Sequence, residues 1–216
     1  MRFLLLVILW PSGAIAAVTD ICAEAAASAA QKHGVPYDLM MAVGRVESGR
    51  QTDLGFMPWP WTINQAGDGA FYDSEKDVET KAVSLVSAGK SNFDVGCFQV
   101  NYGWHGEHFA SLETMIDPAT NADYAATLLK QLYDEKGDWI KAAGAYHSGT
   151  EAEAKTYIAK VEAALGQPGS EPEFVAESSG GLTQAAVDWF LRDGSEATAT
   201  LGSLVKLACS DCEGQP

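Results

Sequence analysis

The chain has 216 residues, of which 47% are hydrophobic, and its formal net charge is −15 at pH 7. That length fits one well-filled domain plus an extension, because domains commonly contain about 100 to 200 residues. The negative charge argues against a nucleic-acid partner, since phosphates require a basic surface and the chain has no Lys/Arg-rich run. It favours instead a solvated acidic surface.

The N-terminus predicts a secretory signal peptide over residues 1–16. It has a minimal basic start, an unbroken apolar run over residues 3–10 and small residues for cleavage at Ala14-Ile15-Ala16. Because a bilayer span needs about 20 apolar residues, an uncleaved anchor is the less favoured alternative. No later stretch is apolar enough to cross a membrane, so we expect a soluble protein outside the cytoplasm, without a stable membrane anchor.

Two helices are predicted next. Asp20 is placed to cap an alanine-rich helix that ends at His33-Gly34, and Pro36 opens a second helix that Gly49 ends. Glu47 falls in the last turn of this second helix, beside apolar side chains. Apolar surroundings and the negative end of the helix dipole both favour its protonated form, which a general acid requires.

A β-hairpin is predicted within residues 54–73. Its strands are expected over residues 58–64 and 70–72, around the turn-rich residues 65–69. A helix over residues 77–88, ended by Gly89, follows the hairpin.

Three further helices are predicted, beginning at Asp117-Pro118, at Asp138 and near Glu151, and the last of them ends at Gly166. Tyr146 lies on the apolar face of the second, so it should point toward the interior or a cleft. The apolar faces expected from the spacing are Asn121, Ala125, Leu128 and Leu132 on the first helix, and Trp139, Ala142, Ala143 and Tyr146 on the second.

The C-terminal part changes in composition. Residues 166–181 are dense in Gly, Pro, Ser and Glu without periodicity, which predicts a linker. The tail over residues 182–216 begins with an amphipathic stripe. That stripe either folds back onto the core or docks a protein partner. Its apolar members are Leu182, Ala185, Ala186, Trp189 and Phe190.

Four cysteines permit three pairings, and an exported chain favours disulfides over free thiols. We predict the pairs Cys22–Cys97 and Cys209–Cys212. The first would close a loop of about 75 residues and stabilise the fold by about 4 kcal/mol in the chain-entropy model. The second lies near the acidic C-terminus, where a small structural bridge or a loose end is favoured over a redox motif.

No metal and no cofactor are predicted. His105 and His108 stand at i, i+3, but no acidic or cysteine partner has the spacing to complete a site.

Three separated segments together resemble one known family. They are Glu47-Ser48-Gly49, Gly96-Cys97-Phe98-Gln99-Val100-Asn101 and Ala145-Tyr146-His147-Ser148-Gly149. Over residues 20–165 the chain resembles a family 1 lytic transglycosylase of the SLT type, related in fold to goose-type lysozyme. The resemblance implies an α+β, mostly α-helical, lysozyme-like domain over residues 17–165 with a small β-hairpin.

The resemblance also implies roles for particular residues. Glu47 would be the catalytic acid, with Ser48 hydrogen-bonding near it. Substrate contacts would come from Ser48, Gly96, Gln99, Asn101, Tyr146 and His147. His147 departs from the family, which usually has Asn there. Residue by residue, Gln99 suits either a backbone bend or a sugar N-acetyl group, and Trp59, Trp61 and Tyr72 suit either the hairpin core or an aromatic rim for sugar rings.

The implied reaction is cleavage of the β-1,4 bond between N-acetylmuramic acid and N-acetylglucosamine in peptidoglycan, leaving a 1,6-anhydromuramoyl end. One carboxyl group suffices, because Glu47 can protonate the glycosidic oxygen and then take the proton of the attacking C6 hydroxyl. A hydrolytic muramidase needs a second acid. The acids between the motifs, each more typical of a turn or a cap, are Asp53, Asp68, Asp73, Asp77 and Asp94.

The resemblance extends to a small exported proteobacterial subgroup. It implies a periplasmic monomer that acts on glycan strands and opens the wall locally for an envelope-spanning machine, with a flagellar or secretion-system protein bound through the tail. The competing interpretations are the hydrolytic muramidase and a non-catalytic wall-binding scaffold.

Overall fold

The computed structural model describes residues 14–166, with side chains from residue 21 onward. The helices are α1 Ala14–His33, α2 Tyr37–Ser48, α3 Glu75–Ser87, α4 Tyr102–His105, α5 Leu112–Ile116, α6 Pro118–Lys136, α7 Trp139–His147 and α8 Glu151–Leu165. The strands are β1 Gly49–Thr52, β2 Gly55–Pro58, β3 Thr62–Gln65, β4 Asp68–Phe71, β5 Asp94–Val95 and β6 Val100–Asn101. The predicted α+β, mostly helical fold class is confirmed.

The first helix begins earlier than the sequence predicts. It starts at Ala14, so Asp20 lies inside the helix and does not cap it. The residues before Asp20 are mostly Ala, Ile and Val, and none of them interrupts a helix. The predicted capping position was therefore wrong.

Most of the helices form one connected packed group. α1 lies against α6 and α2, α2 packs on α8, and α7 contacts both α6 and α8. α1 and α6 bury mainly alanines, whose small side chains let two helices approach closely. These are Ala25, Ala26, Ala29 and Ala30 on α1, and Ala122, Ala125 and Ala126 on α6.

The later helices have the predicted starts. The Asp117 carboxylate accepts a hydrogen bond from the backbone of Thr120 at the start of α6, and Asp138 caps α7 through Lys141 in the same way. The buried face of α6 is shifted from the predicted one. It contains Asn121, Ala122, Ala125, Ala126 and Leu129, whereas Leu128 and Leu132 are half-buried.

Two hairpins stand where one was predicted. β1 pairs with β2, a pair that was not predicted, and β3 pairs with β4 across the two-residue turn Ala66-Gly67. Both turn residues have positive φ, at 54° and 100°, as a type I′ hairpin turn requires. The predicted strand over residues 58–64 begins only at Thr62. Pro58 instead ends β2, and Pro60 lacks the backbone N–H that a continuous ladder to Thr62 would need.

The hairpin tryptophans belong to the core. Trp59 and Trp61 are buried, and the Trp59 indole N–H donates to the Tyr72 carbonyl at 2.7 Å. Tyr72 itself is half-buried. Neither tryptophan forms an exposed aromatic rim.

The second sheet has the strand order β4-β3-β5-β6, with antiparallel pairing throughout. Its register places Asn64 opposite Asp94, and Asp94 opposite Asn101. Side chains at paired positions share a face of a sheet. Three polar residues, one from each of β3, β5 and β6, therefore form one row.

The predicted Cys22–Cys97 disulfide is present, with a Cα–Cα distance of 5.8 Å. It joins α1 to the segment between β5 and β6. The Cys209–Cys212 pair, residues 1–13 of the predicted signal peptide, the linker from residue 167 and the tail over residues 182–216 lie outside the described residues. None of the helices within residues 14–166 combines the length and apolarity that a bilayer crossing needs.

Candidate active site

A cleft of about 290 Å³ lies along the row of polar residues on the sheet. It brings together five of the predicted site residues, namely Glu47, Gln99, Asn101, Tyr146 and His147. Ser48 and Gly96 do not line it. Six residues outside the predicted lytic site complete the lining, and they are Asn64, Asp94, Val100, Trp104, His105 and Leu128.

Glu47 enters the cleft from the last turn of α2, and its side chain is only 15% exposed. Burial raises the pKa of this carboxyl to about 7, and the nearby charge of Asp94 adds to the rise. The Tyr157 hydroxyl and the Lys160 ammonium act in the opposite direction. Near neutral pH the group can therefore both give and accept a proton.

Tyr157 and His147 flank Glu47 on the side of α7 and α8. Their rings are stacked with centroids 4.4 Å apart and an interplanar angle of 6°. The His147 Nδ1 lies 3.9 Å from a Glu47 carboxylate oxygen, and the buried Tyr157 hydroxyl faces the same carboxyl without meeting normal hydrogen-bond geometry. Burial lowers the pKa of His147, so the neutral imidazole is favoured. Tyr157 was missed, because only the packing of α8 on α2 brings it to Glu47.

Ser48 is 1% exposed and does not reach the cleft. Its hydroxyl donates to the Cys97 carbonyl at 2.7 Å and accepts from the Trp59 backbone N–H at 3.2 Å. The expected substrate contact does not fit this placement. Ser48 instead ties the end of the helix that carries Glu47 to the Cys97 segment and to the first residue after β2.

Gly96 and Gln99 shape a tight turn between β5 and β6. Gly96 has φ +82°, and a Cβ there would lie 2.8 Å from the Asn121 amide, so this position requires glycine. The Gln99 amide N–H donates to the carbonyls of Gly96 and Thr62, at 3.0 and 3.3 Å. The amide oxygen Oε1 of Gln99 is buried and accepts no hydrogen bond from the described residues.

Asn121 fastens this turn to α6 and was expected only as part of a buried face. Its amide nitrogen donates to the carbonyls of Val95 and Met115, both at 3.1 Å, while its oxygen accepts from the Phe98 N–H at 3.0 Å. Tyr146 adds a further tie, since its hydroxyl donates to the Phe98 carbonyl at 2.7 Å. Burial raises the pKa of Tyr146 well above its ordinary value, so it stays a donor.

Asp94 is a second carboxylate in the cleft. Its pKa is raised by burial, while the Asn101 amide that donates to it at 2.8 Å opposes the rise. From the sequence, Asp94 was one of five possible second acids, and its spacing did not distinguish it from the other four. The strand register, which places it beside Asn64 and Asn101, is the feature that marks it out.

The described residues contain no group of three His, Cys, Asp or Glu side chains that could hold a metal ion. The rings of His105 and His108 lie with their centroids 6.4 Å apart. The His105 Nδ1 lies 2.8 Å from the Tyr124 hydroxyl, within a cluster of aromatic rings.

The raised pKa of Glu47 makes stability depend on pH. Between the ordinary value of 4.5 and about 7, the folded chain retains a proton that the unfolded chain has lost, so unfolding becomes easier as pH rises. We expect Glu47→Gln to match the original chain at pH 4 and to be more stable by roughly 2–3 kcal/mol at pH 8. Urea unfolding at both pH values measures this. Equal stability at pH 8 would show that the carboxyl is not held in a desolvated site.

Comparison with known proteins adds one match. Residues 71–165 match the family model described as the transglycosylase SLT domain. No curated protein and no solved structure matched the chain at a significant level. The match agrees with the lysozyme-like α+β fold, and supports in general a peptidoglycan-cleaving function of the lytic transglycosylase type and a location outside the cytoplasm. The matched segment includes Asp94, Tyr146 and Tyr157. It begins after Glu47, which therefore lies outside it.

Proposed function

We propose that this chain is a peptidoglycan lytic transglycosylase in which Glu47 carries out both proton transfers. The observation that carries the proposal is the placement of Glu47. Its side chain is only 15% exposed, its carboxyl has a pKa of about 7, and it faces the same cleft as Tyr146 and Gln99 from the matched segment. A pKa near the working pH lets one group serve first as acid and then as base.

In the proposed reaction Glu47 is the only group that gives and takes up a proton. Its proton moves to the glycosidic oxygen as the bond from that oxygen to C1 of N-acetylmuramic acid breaks, and N-acetylglucosamine leaves with a free 4-hydroxyl. The C6 hydroxyl oxygen of the same muramic acid then bonds to C1. Its proton returns to the Glu47 carboxylate, so no water is consumed and the acid is restored.

The surrounding groups fit this cycle. The Glu47 carboxylate formed after the first transfer stabilises an oxocarbenium-like transition state, and the Tyr157 hydroxyl beside it favours that ionised form. Tyr146 holds the Phe98 carbonyl and so fixes the turn that carries Gln99. The Gln99 amide braces the same turn from inside, since its N–H donates to the carbonyls of Gly96 and Thr62.

Asp94 gives the hydrolytic muramidase a specific basis as the second candidate. Two carboxyl groups in one cleft are what a hydrolase of this kind uses, one as the acid and the other to activate water or stabilise the sugar cation. In the lytic reaction Asp94 would have a different role. It accepts a hydrogen bond from Asn101 and so holds the row of polar residues on the sheet in place.

Product analysis distinguishes the two reactions. We expect digestion of purified sacculi in heavy-oxygen water to release muropeptides with 1,6-anhydro ends that contain no heavy oxygen. Asp94→Asn should retain part of this activity, and Asp68→Asn, at an exposed position outside the cleft, should retain all of it. New reducing ends labelled with heavy oxygen, lost in Asp94→Asn, would establish the muramidase instead. No soluble product at all would favour the wall-binding scaffold.

The same proposal includes export by residues 1–16, a periplasmic monomer, and local opening of the wall for an envelope-spanning machine. Its support is compositional: the linker over residues 166–181 and the amphipathic stripe that begins the tail. A chain ending at residue 166 should still cleave glycan but should no longer retain a flagellar or secretion-system protein in a pull-down.

A further inference from the structure

One side chain in the cleft is unusually exposed for its type. Trp104 is 78% exposed, more than any other large apolar residue in the described part of the chain. It lines the same cleft as Glu47. An indole left in water forgoes the stabilisation that burial of its apolar surface would give, so its placement calls for an explanation.

The exposure of Trp104 does not come from a loose loop. The Asn101 side chain accepts from the Trp104 backbone N–H at 3.1 Å and donates to Asp94 at 2.8 Å. Tyr102 stacks on the fully buried Phe93 with ring centroids 4.9 Å apart. A Cβ on Gly103 would lie 2.9 Å from the Ser91 carbonyl oxygen, so this turn also packs closely on its neighbour. α4 therefore holds Trp104 on a fixed base that is connected to the sheet row.

The surroundings of Trp104 match one class of ligand. Asn64, Asn101 and His105 line the cleft with it and offer polar groups beside the apolar face of the indole. A pyranose ring in β-linked glycan has the complementary chemistry, since its axial C–H groups form an apolar face and its hydroxyl and N-acetyl groups point outward from the ring edge. C–H groups pack favourably on the negative face of an aromatic ring.

We propose that Trp104 is a stacking platform for a hexosamine ring of the bound glycan strand, on the side of the cleft formed by α4. This inference rests on the proposed function, because it assumes a glycan in the cleft. It gives Trp104 a role in binding.

Binding in a chain that cannot cleave tests the platform separately from the reaction. With Glu47→Gln as the background and a chitooligosaccharide of six sugars as the probe, adding Trp104→Ala should raise the Kd about tenfold. Adding Trp104→Tyr should restore most of the affinity. The matched control is Val83→Ala, which trims an exposed apolar side chain on α3 outside the cleft, and it should leave the Kd unchanged. A Kd in Trp104→Ala within twofold of the background would overturn the proposal.

A second measurement applies even if Trp104→Ala folds poorly. In the Glu47→Gln background, the bound oligosaccharide should shield tryptophan fluorescence from iodide, and Trp104→Phe should remove that shielding. Binding with unchanged quenching would rule out contact with Trp104. Persistent anhydro products from Glu47→Gln, in contrast, would contradict only the role of Glu47, so the two failures can be told apart.

Discussion

Glu47→Gln should lower kcat/KM for release of anhydromuropeptides by about a thousandfold, because general acid–base catalysis typically contributes 10²- to 10⁴-fold. Glutamine keeps the shape of the side chain and removes its ability to transfer a proton. The loss should appear in kcat, with oligosaccharide binding retained, since the cleft itself is unchanged. Steady-state release of soluble products from sacculi measures the effect.

The matched control is Glu162→Gln, which makes the same chemical change at an exposed position on α8. It should retain full activity. If Glu47→Gln kept more than a tenth of the original rate while Asp94→Asn lost activity, the acid would have to be reassigned to Asp94.

Removing the Cys22–Cys97 disulfide should have the largest effect on stability. The bond closes a loop with a sequence separation of 75 residues, for which the chain-entropy model gives about 4 kcal/mol. A double Cys22→Ala/Cys97→Ala chain should unfold about 8–16 °C lower than the oxidised protein. The two alanines avoid the free thiol that either single replacement would leave.

A reductant provides the control for that comparison. Thiol reductant should lower the midpoint of the original chain toward that of the double variant and leave the double variant unchanged. If the double variant unfolded at the same temperature as the oxidised original chain, the disulfide would contribute no stability. We also expect some loss of activity, since the disulfide anchors the turn whose Cys97 backbone carbonyl accepts from Ser48, the neighbour of Glu47.

The features that were predictable from sequence are those with local causes. Pro36 and Gly49 flank α2, and Asp117 and Asp138 cap their helices, because cap chemistry depends on residues within one turn. The position of Glu47 in the last turn of α2 followed directly. The pKa rise expected for it agrees in direction and main cause, which is burial.

The features that were missed depend on contacts between distant segments. Asp94 gains its place only through strand register, and Tyr157 only through the packing of α8 on α2. Ser48 and Gly96 were expected at the substrate, but Ser48 is bonded to backbone groups of Cys97 and Trp59, and Gly96 packs against the Asn121 side chain. Among the described tryptophans Trp104 is the exposed one, whereas Trp59 and Trp61 are buried. Alternation along a strand does not indicate which face another element will cover.

The junction at Gly49 constrains how this chain can change. Gly49 both closes α2, through its N–H to the Arg45 carbonyl, and begins β1 by pairing with Pro58. Helix and strand meet there without a spacer. A residue inserted inside the last turn would rotate everything before it by about 100° around the helix axis, and Glu47 would leave the cleft. Length variation should therefore be tolerated at the Thr52–Gly55 hairpin turn and rejected at this joint.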